Sequence, residues 1–571
     1  MADPVATAPL RPCSPLVRCG QLPRSLPVFR CDLLVVGSGI AGLTAALTAA
    51  EEGLHVMVLC KGRLDETNTR YAQGGLAAAI GPGDHPKFHA GDTIQVGGGL
   101  SETDVVEAIT ADAPGAVEWL LGLGMRVDRD ETGSVALSRE GGHKIARILH
   151  CDGTATGLEI QRVLEVAARS HPRIDLFEQT TVVDLLKDAE GRVGGVAAIG
   201  NGSGSERPVL YESAAVVLAS GGGGQIYRET TNPELATGDG LAMAWRAGAE
   251  LQDLEFVQFH PTTLYLAGAA RFLISEVVRG AGARLIDRHG RRFMPEIHPD
   301  AELAPRDVVS RSIFRRMIEI GDTHVYLDLS AVPDAPRRFP SLARIARVFG
   351  IDIGREPLPV RPAVHYFIGG VACDLRGRTS LEGLWAIGEC GSNGFHGANR
   401  MGSNSLLEGL VQGRLAGRDI AGRDLSRPRR FLLPAPGRAP EDHGAALNLA
   451  DMTYSLKSLM WRQAGIVRDG DGLRDAVERI SAWEGYLARL GPFSRAGVEI
   501  VNMVQVARLI AWCALAREES RGAHFRADFP DSKPGLRVHS RVRQADGVAE
   551  ITTRPVASPA PVPPPSASRP A

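Results

Sequence analysis

Asp32-Leu33-Leu34-Val35-Val36-Gly37-Ser38-Gly39-Ile40-Ala41-Gly42 is the stretch that decides the fold. Leu33 to Val36 is a short, unbroken apolar run bounded by glycine, the pattern of a parallel strand buried on both faces. A glycine turn follows at once. Leu43 to Glu52 is then an Ala-rich helical stretch ending at Gly53, and His55-Val56-Met57-Val58-Leu59 reads as a second strand, which completes a βαβ unit. In such a unit Gly37 makes the tight turn, Gly39 lets a diphosphate approach the backbone, and Gly42 permits close helix-to-strand packing. The helix N-terminus then faces the phosphates. Alone, G-x-G-x-x-G describes any glycine turn; the flanking elements turn it into a dinucleotide site. The acidic residue that usually ends the second strand and binds a ribose hydroxyl is replaced by Cys60-Lys61, which argues against NAD.

Two later segments continue the same domain. Ala214 to Ser220 is another buried strand, running into Gly221 to Gly224. Leu381 to Glu389 is similar to the late strand of FAD domains, in which an acid after glycine meets the ribityl chain; Glu389 stands at that place. In this order the three segments imply FAD held in an extended pose across a discontinuous domain.

With 571 residues, the chain is long enough for two or three domains. Its 64 Lys+Arg nearly cancel 66 Asp+Glu, which gives no electrostatic case for a nucleic acid or an anionic membrane surface. The eight cysteines (Cys13, Cys19, Cys31, Cys60, Cys151, Cys373, Cys390, Cys513) show no C-x-x-C pair, so neither zinc nor a disulfide framework is implied. A reducing cytoplasm is the expected compartment. No uncharged apolar run approaches the roughly 20 residues needed to span a bilayer. Residues 1–30 are read as a disordered extension; they lack the apolar centre of a secretory signal, while an organelle-targeting role stays open. The tail, 541–571, is read as mostly disordered, its last part being rich in Pro, Ala and Ser.

Six further segments carry a family resemblance. They are Thr69-Arg70-Tyr71-Ala72-Gln73-Gly74-Gly75, Arg139-Glu140-Gly141-Gly142-His143, Gln258-Phe259-His260-Pro261-Thr262, Leu303-Ala304-Pro305-Arg306-Asp307, His396-Gly397-Ala398-Asn399-Arg400 and Asn404-Ser405-Leu406-Leu407-Glu408. In this order the chain resembles the L-aspartate oxidases of the succinate dehydrogenase and fumarate reductase flavoprotein superfamily, over about residues 31–530. The resemblance implies FAD contacts at Ser38, Gly39, Ile40 and Ala41, at Lys61, from Asn68 to Gly75, and at Asp239, Glu389, Ser405 and Leu406. Respiratory members carry a histidine bonded covalently to the flavin where this chain has Asn68, so noncovalent FAD is expected.

The same resemblance implies a dicarboxylate substrate held by His260, His365 and Arg400, with Ser275, Glu276 and Ser403 in the same pocket. A substrate with two carboxylates needs fixed cationic or hydrogen-bonding groups, and arginine offers a bidentate fork. Glu140 separates the candidate substrates: a carboxylate pairs with the ammonium of aspartate but only repels succinate. The family assigns proton transfer to Arg306. Because a guanidinium is normally always protonated, a relay with Glu276 or with a histidine such as His260 is the least strained version. The expected reaction is L-aspartate to iminoaspartate, with oxygen or fumarate reoxidising the flavin, leading to quinolinate and NAD, and with quinolinate synthase as a transient partner. The alternatives are a soluble fumarate reductase or succinate dehydrogenase flavoprotein, and a flavin-binding sensor without turnover.

The expected fold class is α/β. A Rossmann-type FAD domain (31–253 and 367–436) is interrupted by an α+β capping domain (254–366). After a Pro/Arg-rich linker near 426–440, a helical domain (437–540) follows, with Met452, Leu456, Leu459, Met460, Val504, Leu509 and Trp512 recurring at helix-like spacing.

Overall fold

The structure, a computed structural model, describes residues 16, 26–200, 206–266, 272–425, 447–488, 494–545 and 548–557. β1 (Val28–Val36), α1 (Ile40–Glu51) and β2 (Val56–Leu59) form the opening βαβ unit. Next come β3 (Leu76–Ala77), α2 (Pro86–Val96), α3 (Thr103–Gly122), β4 (Leu137–Ser138), β5 (Ile148–Leu149) and α4 (Thr156–Ser170). The chain then returns through β6 (Ile174–Phe177), β7 (Thr180–Lys187), β8 (Val193–Gly200), β9 (Arg207–Leu218), α5 (Asp239–Ala247) and β10 (Leu251–Gln252). An inserted unit holds β11 (Val257–Leu264), α6 (Glu276–Gly280), β12 (Arg284–Ile286), α7 (Arg306–Ile320), β13 (Val325–Asp328), α8 (Ala335–Arg338), α9 (Pro340–Val348) and β14 (Leu358–Phe367). β15 (Gly370–Ala372), β16 (Leu384–Ala386), β17 (Gly391–Ser392) and α10 (Asn404–Ala421) lead back to the base. The last elements are α11 (Leu449–Gln463), α12 (Gly470–Leu487), α13 (Arg495–Ala516), β18 (Val538–Ala545) and β19 (Val548–Pro555).

The main sheet runs β6-β2-β1-β9-β8-β7, and β16 pairs with β9. β1 lies between β2 and β9, parallel to both. Its side chains alternate between two cores. Leu33 and Val35 pack with α1, α3, α4 and α10, whereas Leu34 and Val36 pack with α5 and the C-terminal helices. Burial on both faces is why this strand reads as an unbroken apolar run. β16, about 350 residues later in the chain than β1, completes the sheet beside β9, as the Leu381 to Glu389 pattern implied.

The glycine turn is forced by space. Gly37 has φ +114, and a Cβ there would stand 2.2 Å from the carbonyl oxygen of Ala219. At Gly42 a Cβ would stand 2.1 Å from the carbonyl oxygen of Gly37, which locks α1 to the turn. α1 also packs along α10 through a second set of small residues. Cβ atoms at Gly409, Gly413 and Gly417 would meet Ile40 Cγ2 at 2.9 Å, Ala41 O at 2.7 Å and Ala45 O at 2.8 Å. The contacts advance together along both helices, so α1 and α10 run parallel and begin at the same end.

The inserted unit has its own sheet, β11-β14-β13-β12, and its own core, built among others from Leu264, Ile274, Ile313, Leu327 and Val360. α13 is long and apolar enough to cross a membrane by composition, yet 89% of its most apolar window is buried inside the protein. It is a core helix: Val504, Leu509 and Trp512 pack beside Leu456, Leu459 and Met460 of α11, with Met452 at the margin.

Two boundaries differ from the sequence reading. The sheet begins at Val28, where Val28 to Arg30 pair with Leu210 to Glu212, so residues 28–30 are not part of a disordered extension. The tail reading fails for 541–545 and 548–555: β18 and β19 pair with each other and join β10, in the order β17-β15-β10-β18-β19. Val542 is fully buried there, and His539 Nδ1 bonds Asp253 Oδ2 at 2.5 Å with Glu102 on its other side. Despite burial, the carboxylates of Asp253 and Glu102 hold His539 up to about 9. The remaining terminal expectations and the linker near 426–440 fall outside the described residues.

Replacing Gly413 by valine forces a branched side chain against the α1 backbone. Gly413→Val is expected to destabilise the protein by about 1–3 kcal/mol, read as a lower thermal unfolding midpoint with reduced FAD content. A wild-type midpoint would show that the helices have room to separate.

Candidate active site

Helix starts and one irregular strand pair build the candidate site. Glu276 is the first residue of α6, Arg306 the first of α7, and Ser403 immediately precedes α10. His260 lies on β11 and His365 on β14. The β11–β14 register shifts between Gln258 and Phe259 and again between His260 and Thr263. Gln258 opposes Tyr366 while Phe259 opposes Val364, which leaves His365 as the unpaired bulge residue. A bulge re-aims a side chain out of the regular alternation. The two imidazoles lie edge to face with centroids 5.3 Å apart.

One cavity gathers nearly every residue singled out in the sequence. Its wall runs from Gly37 to Ala41 through Lys61, Asn68, Thr69 and Tyr71 to Gly75, then Asp239, Glu389, Ser405 and Leu406. It continues without a break to Glu140, His260, Ser275, Glu276, Arg306, His365, Arg400 and Ser403. Two expected residues are placed elsewhere. Gly42 sits behind the wall, packed on Gly37, and Arg70 turns its guanidinium to Asp65.

At the substrate end, charges converge around glycine. Arg306 Nε donates to Glu276 Oε2 at 2.8 Å, and Arg279 Nη2 approaches the same oxygen at 3.6 Å. Burial raises the Glu276 carboxyl, but Arg306 and Arg279 outweigh it and hold the group at about 2. Gly141 N donates to Glu276 Oε1 at 3.1 Å. Glu140 is reached by Ser403 Oγ at 2.7 Å. Burial and the neighbouring Glu276 push the Glu140 carboxyl up. A Cβ on Gly402 would lie 2.7 Å from Glu140 Oε2 and 2.9 Å from Arg306 Nη2, so only glycine lets these groups meet. Ser403 is held at φ +60, a strained conformation for a residue with a side chain.

The arginines are only partly neutralised. Arg306 Nη1 and Arg400 Nε are buried without a hydrogen-bond partner. Arg400 Nη1 donates to Gln258 Oε1 at 3.1 Å and Nη2 to Ser405 Oγ at 2.8 Å, and its guanidinium stacks 4.6 Å from the Tyr366 ring centre. Burial and Arg306 bring Arg400 down to about 10. Burial, and then the surrounding arginines, keep His260 and His365 far below the ordinary histidine range. Both imidazoles are therefore neutral near pH 7. The pocket thus offers two arginines, one of them without a carboxylate partner, and two uncharged imidazoles, a donor set that suits a dicarboxylate.

At the other end, the donor set fits FAD. Gly39 offers no side-chain cap to α1 and Thr69 Oγ1 takes only the Ile40 N–H, at 2.9 Å, which leaves the next helix amides for a diphosphate. Beside Gly39 a Cβ would meet only Thr69 Oγ1, at 3.2 Å. Glu389 accepts from Asn68 Nδ2 and from Phe367 N, both at 3.0 Å, and keeps lone pairs for hydroxyl groups. Lys61 is fixed by Thr237 at 2.6 Å, Asp239 at 2.7 Å and Glu499 at 3.0 Å.

Residues 32–406 match the FAD binding domain family, and residues 453–567 match the fumarate reductase flavoprotein C-terminal family. The chain is 45% identical over 517 residues to the L-aspartate oxidase of Streptomyces coelicolor, covering 88% of this chain and 89% of that protein. It is 42% identical to the L-aspartate oxidase of a Nostoc species, covering 90% and 93%. The chain belongs to the L-aspartate oxidase family. FAD is its cofactor. Among solved structures, an E. coli quinol fumarate reductase chain superposes with a TM-score of 0.84 at 31% identity, over 94% of this chain and 98% of that one.

In this L-aspartate oxidase family member, several contributors had no local sequence signal. Arg279 reaches Glu276 from one turn along α6, and Thr231 and Asn232 reach the cavity from a loop between β9 and α5. Tyr366 stacks on Arg400 and donates to Glu408, which also bonds His396 at 2.8 Å. The nearest available cue was Glu408 inside the Asn404 to Glu408 motif.

Glu276→Gln removes the carboxylate that Arg306 and Arg279 share, at an expected cost of about 3–5 kcal/mol. Because the Glu276 carboxyl is depressed from 4.5 to about 2, its contribution is present above pH 4.5 and is lost as the pH falls through about 2. Unfolding midpoints of both proteins between pH 3 and 7 should therefore converge toward the acid end; a constant gap would contradict the assignment.

Proposed function

We propose that the protein oxidises L-aspartate to iminoaspartate, the first step of de novo NAD synthesis through quinolinate. The observation that carries this reading is Glu140, a buried carboxylate set within a pocket of arginines and neutral histidines. A dicarboxylate alone gains nothing from it. An amino dicarboxylate brings an ammonium that pairs with Glu140, while its carboxylates meet Arg400, His260, His365 and Ser275. Bound FAD supplies the two-electron acceptor for the substrate C–H bond.

The remaining work falls to the protein. Arg400, braced by Gln258, Ser405 and Tyr366, holds a carboxylate in a fixed orientation. Arg306 lines the cavity and donates through Nε to Glu276, an arrangement suited to moving the substrate proton outward. Asn68, an amide engaged with Glu389, favours noncovalent FAD. The likeness to fumarate reductase supports fumarate beside oxygen as acceptor. Free cysteines throughout the described residues favour a reducing, cytoplasmic setting, where quinolinate synthase would take up the unstable product as a transient partner.

Anaerobic addition of L-aspartate is expected to bleach the yellow flavin, with succinate doing so far more slowly; the reverse order would assign a succinate dehydrogenase type of enzyme, and no bleaching by either a sensor. Glu140→Gln should lower kcat/KM for aspartate about 10- to 100-fold while leaving fumarate reduction by the reduced enzyme nearly intact. Arg306→Lys should slow flavin reduction at saturating aspartate at least about 100-fold. A near-normal rate would remove Arg306 from proton transfer. Acid should weaken aspartate binding as Glu140, whose carboxyl is raised, takes up a proton and loses the ammonium partner.

A further inference from the structure

Thr231 belongs to none of the motifs that mark the site, yet it touches the ring of His365. Its Oγ1 lies 2.9 Å from His365 Nδ1. The same loop holds the bulge from two more sides. Thr231 N donates to Val364 O at 2.9 Å, and Asn232 Nδ2 donates to His365 O at 3.0 Å.

Counting protons decides what the 2.9 Å contact is. The Thr231 hydroxyl has one proton, and two acceptors are within reach: His365 Nδ1 at 2.9 Å and Val364 O at 3.3 Å. Val364 O already accepts from Thr231 N at 2.9 Å and from Thr230 Oγ1 at 3.3 Å, which fills both of its lone pairs. The nearer nitrogen is the acceptor that these contacts favour for the hydroxyl proton. A neutral imidazole that accepts at Nδ1 carries its proton on Nε2. Burial, with Arg400 and Arg306 close by, keeps His365 neutral.

His260 reaches the same state by a different route. Thr262 N–H, which can only donate, points to His260 Nδ1 at 3.3 Å. Its proton is also on Nε2. We infer that Thr231 is a positioning residue that fixes the Nε2–H tautomer of His365, so that both site histidines act as neutral hydrogen-bond donors to a substrate carboxylate. The wrong tautomer would turn a lone pair toward that carboxylate and repel it. This inference rests on the dicarboxylate reading of the site.

The test uses the FAD-loaded enzyme with Thr231→Val, which keeps the shape and loses the hydroxyl, and Thr231→Ser, which keeps the hydroxyl. Malonate, a dicarboxylate with no amine to oxidise, is titrated against the flavin absorbance. Thr231→Val should weaken malonate binding about tenfold, and Thr231→Ser should restore it to within about twofold. KM for L-aspartate should rise in the valine variant by more than kcat falls. With 15N-labelled histidine, the wild-type His365 signal should report a proton on Nε2, with the protonated nitrogen redistributed in Thr231→Val. Wild-type malonate affinity in Thr231→Val would overturn the proposal, as would a serine variant as weak as the valine one, or a wild-type proton on Nδ1. The malonate titration needs no turnover, so failure of L-aspartate to bleach the wild-type flavin would sink the functional reading while leaving the role of Thr231 separately decided.

Discussion

The close parallel packing of α1 and α10 is the constraint on which the rest of the site depends. Gly409, Gly413 and Gly417 bring the α10 backbone onto Ala41 and Ala45 of α1, a separation that any side chain would prevent. Two consequences follow from that contact. Both helices open on the same cavity, one at Gly39 and the other at Ser403, so their positive N-terminal ends add there. And the loop before α10, which carries Arg400 and Gly402, is fixed against the glycine turn that binds the dinucleotide. His89 and His143 reinforce this from the other side, bonding Asn404 Oδ1 at 2.8 Å and Gly402 O at 3.0 Å.

Electrostatics then explain why the substrate end is built as it is. Buried charge is costly unless paired, and here the pairing is deliberately incomplete. Glu276 neutralises part of Arg306 and Arg279, whereas Arg400 is held by neutral partners, Gln258, Ser405 and an aromatic face. Its charge is left for a ligand. The histidines add donors without adding charge. Glu140 supplies a carboxylate whose short bond, 2.7 Å, comes from Ser403 and not from an arginine, and this leaves it available to a cation.

Much of this was legible in the sequence where local pattern and structure coincide. The buried strand at Leu33 to Val36 could be read because both faces are covered, and Glu389 because it follows a glycine turn at a strand end. The hairpin from Val538 to Pro555 was not, since it alternates arginine, threonine and valine beside a Pro/Ala/Ser-rich end and takes its stability from a distant partner, β10. Long-range pairing of this kind leaves little local trace. Arg70 misled for the opposite reason: it sits inside a recognisable motif, but its side chain answers to Asp65 and leaves the cavity. Thr231 and Gln258 act through other side chains, and such roles appear only once the backbone bulge at His365 is seen.

The division of the site between two bodies gives the inserted unit its function. His260, Ser275, Glu276, Arg306 and His365 belong to it, while Glu140, Arg400 and Ser403 belong to the base. Neither body alone holds a complete clamp for an amino dicarboxylate. Beside the site the boundary is crossed by polar bonds, among them Gly141 N to Glu276, Asn399 Nδ2 to Asp307 at 3.1 Å and Gln258 Nε2 to Arg400 O at 2.7 Å, and farther off by the rings of Phe259 and Phe314 against Trp461. The chain enters the unit just after Asp253, which has φ +58 and is gripped by His539 of the C-terminal hairpin. That contact ties the entry of the unit to the C-terminal hairpin. Packed against the base in this way, the inserted unit completes the clamp and holds Arg306 beside Glu276 at the wall of the shared cavity.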